Sequence, residues 1–414
     1  MAVKRRWGVL VLTALLLAAC AGRGHDASEL VVGAVYPLSG PQSEGGRQEL
    51  AGLKAALDLA RQEGTLHRAI RLDVRSVLTP EGARAAVDQL IDQDHVSIIA
   101  GTYGSTLAEA AAARADARHV IYWESGAVAD LVTQHRTYVF RTVATGMTLG
   151  DTAVRFTDQV LLPAAGLQPQ QARAVIVSVN DDYGRSVGDA EQAMAGEMGI
   201  QVVDRVRYDA AHYDPGVIAA RVRSDRPDYL WDVSYLQDGM AVWRSMKAAG
   251  VRPRAAIGTS SAFCMPEFGT QLGQLAVGTF AADKPDDGIN PDALSPTART
   301  LLADARHEYA AQGMGDAMPI PAVAGFVAGW TLFHSLLPQI GGDVTPDSVR
   351  AAAYRLDEPV GTSINGGGVK FASAGAVNAG QNLRAPSQVG QWQAVGVMKT
   401  VYPDGFATAA PIPG

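Results

Sequence analysis

The sequence predicts an α/β protein with two doubly wound parallel-sheet lobes joined by a hinge. Segments rich in β-branched residues alternate with segments whose apolar residues recur at helical spacing. This alternation begins at Leu30 and starts again at Ala174. The chain has 414 residues, which is too long for one ordinary core. Because alternating units form parallel sheets with right-handed crossovers, two such runs indicate two lobes.

In the first run, a strand at Leu30–Val35 precedes a helix in which Leu50, Leu53 and Leu57 share one face. Thr79 is the predicted N-cap of the next helix, and Pro80 is its first residue. At this position the missing N–H of proline breaks no helical hydrogen bond. Further elements of this run are expected at 72–77, 96–100, 107–117, 120–123 and 139–143. The second run predicts strands at 174–179, 202–208, 229–233, 255–258 and 278–282, with helices at 190–198, 217–222 and 240–249. Later helices are expected at 297–312, 323–337 and 349–356.

The order of these elements predicts how the chain divides between the lobes. We expect residues 30–142 plus 282–361 in the N-terminal lobe, and 143–281 plus 362–414 in the C-terminal lobe. The three crossings are expected near Arg141–Val143, Ala281–Asp283 and Gly361–Ser363.

The first residues predict export. A basic start at Lys4 to Arg6, an apolar run from Val9 to Ala19 and small residues before Cys20 describe a secretory signal over residues 1–19. Leu-Ala-Ala followed by Cys20 resembles the lipobox of bacterial lipoproteins, in which this cysteine receives a diacylglycerol. The alternatives are a plain signal peptide or a short membrane anchor, but the run is short for a hydrocarbon core of about 30 Å. We expect an extracytoplasmic protein that residues 20–29 tether to the cell membrane.

Composition and missing motifs exclude several function classes. The net charge is −7 and no basic cluster occurs, so nucleic acid is not an expected partner. The sequence contains no G-x-x-x-x-G-K-[ST], G-x-G-x-x-G or H-E-x-x-H motif, so we expect no enzyme and no cofactor. The 8 histidines are scattered, so we expect no metal site. Cys264, the only cysteine besides Cys20, is expected to be a buried, inert thiol.

Loops that follow predicted strands contain small hydroxyls and aromatics, and ligands of doubly wound folds bind at such loops. The segment Val32 to Pro41, VGAVYPLSGP, resembles the opening of the leucine/isoleucine/valine-binding-protein family, the type I periplasmic solute-binding proteins of ABC importers. The resemblance covers roughly residues 30–337. Further matches follow in order at Gly52, Ala55-Ala56, Gly101 to Ser105, Tyr138 to Thr142, Asp182 to Gly184 and Lys247 to Gly250.

The resemblance implies two lobes that close on a small ligand. Ser105 matches the serine that holds the ligand carboxylate, and a helix N-terminus suits an anion; the alternative is that Ser105 is only an N-cap. Tyr183 and Tyr235 match aromatic positions that cover the ligand, with ordinary packing as the alternative. The candidate ligand-binding residues are Tyr103, Ser105, Thr106, Ser125, Gly126, Ala127, Tyr183, Tyr235 and Ser260.

Three departures from the family pattern bear on the ligand. Ala127 replaces the usual threonine, Ser260 stands near the usual acidic partner of the ligand ammonium, and the aromatic expected near Ser43 is missing. A buried ammonium without an anionic partner is costly, so we expect a site that tolerates loss of the amino group. Glu124 or Asp182 could substitute as the acidic partner. Tyr103 and Trp123 beside the cleft loops favour a flat or apolar ligand body.

These observations predict a solute-binding lipoprotein that works as a monomer and delivers an amino acid, an amide or an organic acid to ABC permease subunits. The alternative is a surface sensor that signals to a partner without transport. The third class is a hydrolase on the same scaffold, which turnover of a candidate substrate would support.

Overall fold

The computed structural model describes residues 29–412, so the predicted signal and Cys20 lie outside the described residues. The described chain forms two α/β lobes, as predicted. The strands are β1 (Leu30–Tyr36), β2 (Ile70–Ser76), β3 (Ile98–Gly101), β4 (Ile121–Glu124), β5 (Val139–Arg141), β6 (Arg173–Val179), β7 (Gln201–Tyr208), β8 (Tyr229–Val233), β9 (Ala255–Thr259), β10 (Phe280–Asp283), β11 (Gln388–Ala394) and β12 (Val397–Tyr402). The helices are α1 (Ser43–Gln62), α2 (Pro80–Asp92), α3 (Ser105–Ala117), α4 (Gly146–Phe156), α5 (Leu162–Ala165), α6 (Asp182–Met198), α7 (Pro215–Asp225), α8 (Leu236–Ala248), α9 (Pro266–Leu272), α10 (Pro296–Ala311), α11 (Ile320–Trp330) and α12 (Pro346–Ala353).

The first lobe is built on a five-stranded parallel sheet in the order β2-β1-β3-β4-β5. The predicted start of α2 is confirmed, because Thr79 Oγ1 accepts the Gly82 N–H at 3.1 Å. Helix α1 packs very closely on α11: a Cβ added at Gly52 would lie 2.0 Å from the Ala322 carbonyl oxygen. Small residues therefore allow these two helices to form one layer over the sheet.

One helical stretch in the described chain, Ile320–Gln339, is long and apolar enough to cross a membrane. Its most apolar window is 83% buried within the protein. Phe326, Ala328, Leu332 and Phe333 belong to the cores of the first lobe. The apolar composition of this stretch is thus accounted for by packing, because a helix that is buried on all sides is apolar on all sides.

The second lobe contains a seven-stranded sheet in the order β12-β11-β10-β9-β8-β6-β7. Its strands from β6 to β10 are parallel, as predicted, but β11 and β12 are antiparallel to their neighbours. The difference arises because β11 enters the sheet from the other lobe and a tight hairpin then forms β12, so no crossover helix intervenes.

The chain passes between the two sheets after β5, after β10 and before β11. The third passage comes later than the predicted Gly361–Ser363, because Val369 and Phe371 still pack in the core of the first lobe. The first and third passages lie side by side: Arg141 Nε donates to Gln381 Oε1 at 2.6 Å, and Gln381 Nε2 donates to the Val143 carbonyl oxygen at 2.8 Å. This buried pairing joins the two segments into one hinge element.

Candidate functional site

A cavity lies between the two lobes, beyond the carboxyl ends of β3, β4, β9 and β10. The cavity has a front part and a deep part, which adjoin each other and share Tyr103, Gly126, Ser260, Ser261 and Lys284. The front part is lined by Tyr103, Gly104, Ser105, Gly126, Ala127, Val128, Tyr183, Tyr235, Ser260, Ser261 and Lys284. The deep part is lined by Glu49, Tyr103, Gly126, Ser260, Ser261, Cys264, Met265, Asp283, Lys284, Ile320 and Pro321.

Two tyrosines of the second lobe form one wall of the front part. The rings of Tyr183 and Tyr235 are tilted against each other with centroids 5.1 Å apart. The Tyr183 hydroxyl donates to backbone carbonyls at the end of β9, including that of Ser260 at 3.1 Å. The Tyr235 hydroxyl donates to Asp181 Oδ2 at 2.8 Å. With their hydroxyls engaged by the protein, these residues present aromatic rings to the cavity.

A third tyrosine faces them from the first lobe. Tyr103 packs on Gly45 so closely that a Cβ there would lie 2.4 Å from the ring. The absence of a side chain at position 45 thus makes room for Tyr103. The Tyr103 hydroxyl lies 2.7 Å from Ser261 Oγ in the second lobe, so the two lobes are joined across the cavity.

The N-terminus of α3 borders the front part of the cavity. Gly104, with φ of +95°, is the N-cap, and Ser105 is the first helical residue. The N-cap alternative for Ser105 is therefore wrong; its Oγ instead accepts the Ala129 N–H at 3.1 Å. First-turn N–H groups have no acceptor within their own helix and favour an anion. Thr106 lies outside this cavity, at the crevice that leads to it.

Behind Gly126 lie two buried carboxyl groups. Glu124 Oε1 accepts the N–H groups of Gly126 and Ala127, both at 2.7 Å, and its Oε2 accepts that of Thr102 at 3.3 Å. Burial raises the pKa of Glu124 above its usual value, and these donors keep the rise smaller than that of Glu49. Burial and the charge of Glu124 raise the pKa of Glu49 to about 8. Because Glu124 has the donors, we assign the negative charge to Glu124 and the proton to Glu49.

The side chain of Ser125 lies behind the cavity wall instead of facing the cavity. Its Oγ donates to Glu49 Oε1 at 2.6 Å and lies 2.9 Å from the Tyr36 hydroxyl. The predicted ligand contact of Ser125 is thus replaced by a structural one: Ser125 holds the Glu49 carboxyl in place.

A buried cation completes the cavity. The Lys284 Nζ lies 3.0 Å from Asp283 Oδ1 and donates to the Gly126 carbonyl oxygen at 3.4 Å. The side chains of Lys284 and Asp283 are only 9% and 3% exposed. An ammonium has three donors, so one of them is left for a ligand.

Three further residues differ from the sequence-based expectation. Trp123 is fully buried in the first lobe, where its Nε1 donates to the Ala328 carbonyl oxygen at 2.9 Å, so it does not border the cavity. Asp182 pairs with Arg185 at 2.6 Å. Glu124 is occupied by backbone donors. Neither acid can therefore serve as a partner for a ligand ammonium.

The candidate residues that border the cavity are thus Tyr103, Ser105, Gly126, Ala127, Tyr183, Tyr235 and Ser260. Sequence reasoning missed Glu49, Asp283 and Lys284. The charged pair at 283–284 stands at the carboxyl end of strand β10, and this position could have marked it. Cys264 is buried as predicted and borders the deep part. Over residues 29–412, no cluster of three His, Cys, Asp or Glu side chains could hold a metal ion.

A family model described as periplasmic binding protein matches residues 29–392. Leu/Ile/Val-binding protein homolog 8 of Brucella abortus is 28% identical over 385 residues, 92% of each chain. Homolog 7 of Brucella suis is 24% identical over 400 residues, 96% of this chain and 97% of its own.

Solved structures share the fold. The leucine-binding protein of Thermotoga maritima has a TM-score of 0.75 at 19% identity, covering 90% of this chain and 97% of its own. A solute-binding protein of an R. palustris ABC transporter, in complex with benzoate, has a TM-score of 0.74 at 18% identity, with coverage of 92% and 98%. Since the family model spans nearly all described residues and both lobes are present, this chain belongs to the periplasmic binding protein family.

Proposed function

We propose that this protein is the lipid-anchored, extracytoplasmic solute-binding protein of an ABC importer, and that it binds a small organic acid with a planar or apolar body. In this proposal, the two lobes close on the ligand by rotation at the paired hinge segments. The protein is not an enzyme and passes its ligand to permease subunits.

The observation that carries the proposal is a buried ammonium in a cavity walled by tyrosines. Lys284 keeps one N–H donor for a ligand after its contacts with Asp283 and Gly126. The N-terminus of α3 adds first-turn N–H groups and the positive end of a helix dipole. Both favour a carboxylate, and the rings of Tyr103, Tyr183 and Tyr235 suit a flat ligand body.

The same cavity disfavours an α-ammonium. The charge of Asp283 is already paired with Lys284, and Glu49 is assigned a proton. An ammonium would therefore meet Lys284 without a free carboxylate to balance it, which is costly in a buried site. The replacement of the family's usual ammonium partners by Ala127 and Ser260 disfavours an α-ammonium as well.

Related folds bind both ligand classes. Structures are known of relatives in complex with benzoate and 4-hydroxybenzoate in R. palustris, and with isoleucine in Streptococcus pneumoniae. The fold alone therefore does not choose between organic acids and amino acids, and the choice depends on the residues of the cavity.

The test is calorimetric titration of the mature protein with benzoate, with leucine, and with 4-methylpentanoate, the amine-free counterpart of leucine. We expect the amine-free acids to bind at least as tightly as leucine. If leucine binds tightly and both acids fail, the organic-acid assignment is wrong. Saturating acid should also reduce the radius of gyration in small-angle scattering, and an unchanged value would contradict closure.

The lipid anchor is tested separately. Cys20→Ala should move the protein from the membrane fraction to the soluble fraction. Mass spectrometry of the mature protein should find a diacylglycerol on Cys20, and an unmodified Cys20 or another first residue would contradict the anchor.

A further inference from the structure

Glu49 borders the deep part of the cavity with one oxygen that has no partner. The residue is fully buried, and its Oε1 accepts the Ser125 hydroxyl at 2.6 Å. Its Oε2 forms no hydrogen bond, and it faces Gly126, where an added Cβ would lie only 1.8 Å away. A buried polar atom without a partner is costly, so an oxygen of this kind beside a cavity indicates a group that a ligand would satisfy.

The surrounding contacts determine what Oε2 can offer. Ser125 donates to Oε1, so a proton on the Glu49 carboxyl lies on Oε2. Glu124 receives three backbone N–H groups and retains its charge, and this nearby charge favours the protonated form of Glu49. Oε2 is then a hydrogen-bond donor beside Gly126, which lines both parts of the cavity.

Lys284 does not supply a donor for this end of the ligand. It borders both parts of the cavity, and in the proposed function its third N–H binds the carboxylate. Met265, Ile320 and Pro321 add apolar surface to the deep part, beside Ser260, Ser261 and the ion-paired Asp283. The donor of Glu49 calls for an oxygen with lone pairs, whereas a methyl group would leave it unpaired and an ammonium would add a second donor.

We propose that Glu49 is a specificity-determining residue which selects organic acids that carry a second hydrogen-bond acceptor, such as a hydroxyl or carbonyl, at the end opposite the carboxylate. The proposal rests on the proposed function, because it takes the carboxylate to lie at the N-terminus of α3. It goes further by naming the far end of the ligand and the residue that recognises it.

The experiment compares three probes by calorimetry: 4-hydroxybenzoate, 4-methylbenzoate, which replaces the hydroxyl by a methyl of similar size, and 4-(aminomethyl)benzoate, which is one heavy atom longer and carries a cationic group. We expect the wild type to bind the hydroxy acid about tenfold or more tightly than the methyl acid, because the methyl leaves the buried Glu49 donor unpaired. The cationic probe should bind most weakly.

Three variants separate recognition from folding. Glu49→Met removes the donor and should reduce the hydroxy-to-methyl preference to within about threefold. Glu49→Gln retains a donor through its amide and should keep the preference, which also covers the case in which Glu49→Met does not fold. Glu191→Gln is the matched control, since Glu191 is an equally buried carboxyl with a free Oε2 that does not border the cavity, and its preference should be unchanged.

The outcomes are distinct. Equal affinity of the wild type for the hydroxy and methyl acids overturns the role of Glu49 but leaves the organic-acid function standing. Tightest binding of the cationic probe, or loss of the preference in Glu49→Gln, would mean that an ionised Glu49 accepts hydrogen bonds, and overturns the proposal. If no benzoate derivative binds, the proposed function fails and this inference fails with it.

Discussion

Replacing Lys284 by methionine should reduce both stability and affinity, for two different reasons. The lysine is the ion-pair partner of Asp283 at 3.0 Å, and both side chains are almost completely buried. Removing one partner of a buried pair leaves an uncompensated charge and typically costs about 3–5 kcal/mol of unfolding free energy. The methionine has similar length and keeps the cavity wall filled, so little of the effect should come from lost packing.

The loss of affinity follows from the hydrogen bond to the ligand. A charge-assisted hydrogen bond contributes about 1.5–3 kcal/mol, so Lys284→Met should weaken benzoate binding by roughly 10- to 150-fold. The double variant Lys284→Met/Asp283→Asn removes the uncompensated charge as well. It should recover most of the stability and none of the affinity.

Urea denaturation measures the unfolding free energies, and calorimetry measures the dissociation constants for benzoate. The reasoning about the site fails if the double variant binds benzoate as tightly as the wild type, because Lys284 would then not contact the ligand. The reasoning about the ion pair fails if the single variant is as stable as the wild type.

Two further predictions concern pH and lobe contact. Burial raises the pKa of Glu191 from 4.5 to about 8, so the folded protein retains a proton that the unfolded chain loses between these values, and stability should fall as pH rises through this range. Urea denaturation at about pH 5.5 and 7.5 should show this fall, and Glu191→Gln should reduce it by up to about 1.4 kcal/mol per pH unit; an identical fall in the variant would contradict the assignment. Tyr103→Phe removes the hydroxyl that reaches Ser261 at 2.7 Å in the other lobe, and it should weaken benzoate binding about two- to tenfold. Unchanged affinity would show that this contact does not favour the closed form.

The strands, helices and most cavity residues could be predicted because they follow from local rules. Alternating periodicity predicts βα units, and the carboxyl ends of parallel strands meet at one edge. Gly126, Tyr183 and Tyr235 lie within four residues after predicted strands, and the family resemblance assigned the two tyrosines to the ligand. The rule identifies positions along the chain, however, and does not give the direction of a side chain.

For Trp123 and Ser125, the sequence predicted the position after or within a strand but not the direction of the side chain. Strand β4 is buried on both faces, so alternation along it does not separate cavity from core, and Trp123 points to Ala328 on α11. Ser125 follows the same strand but turns back toward Glu49. The apolar periodicity of Leu50 and Leu53 predicts helix α1 but does not predict that Glu49 is buried. The burial of Glu49 depends on α11, which follows much later in the chain and packs on α1 at this residue.

The position of the aromatic wall explains why transfer of site residues from the family is incomplete. The family has an aromatic residue early in the chain, whereas here Gly45 has no side chain. The ring of Tyr103, from the loop before α3, fills the space beside it. A large residue at 45 and the present position of Tyr103 exclude each other, since even a Cβ would overlap the ring. The cavity therefore has an aromatic wall although the position that matches the family's early aromatic residue carries no aromatic side chain. Its chemistry is determined by which side chains reach the cavity. Here two charged ones, Asp283 and Lys284, stand at the carboxyl end of β10, where the resemblance assigned no ligand-binding residue.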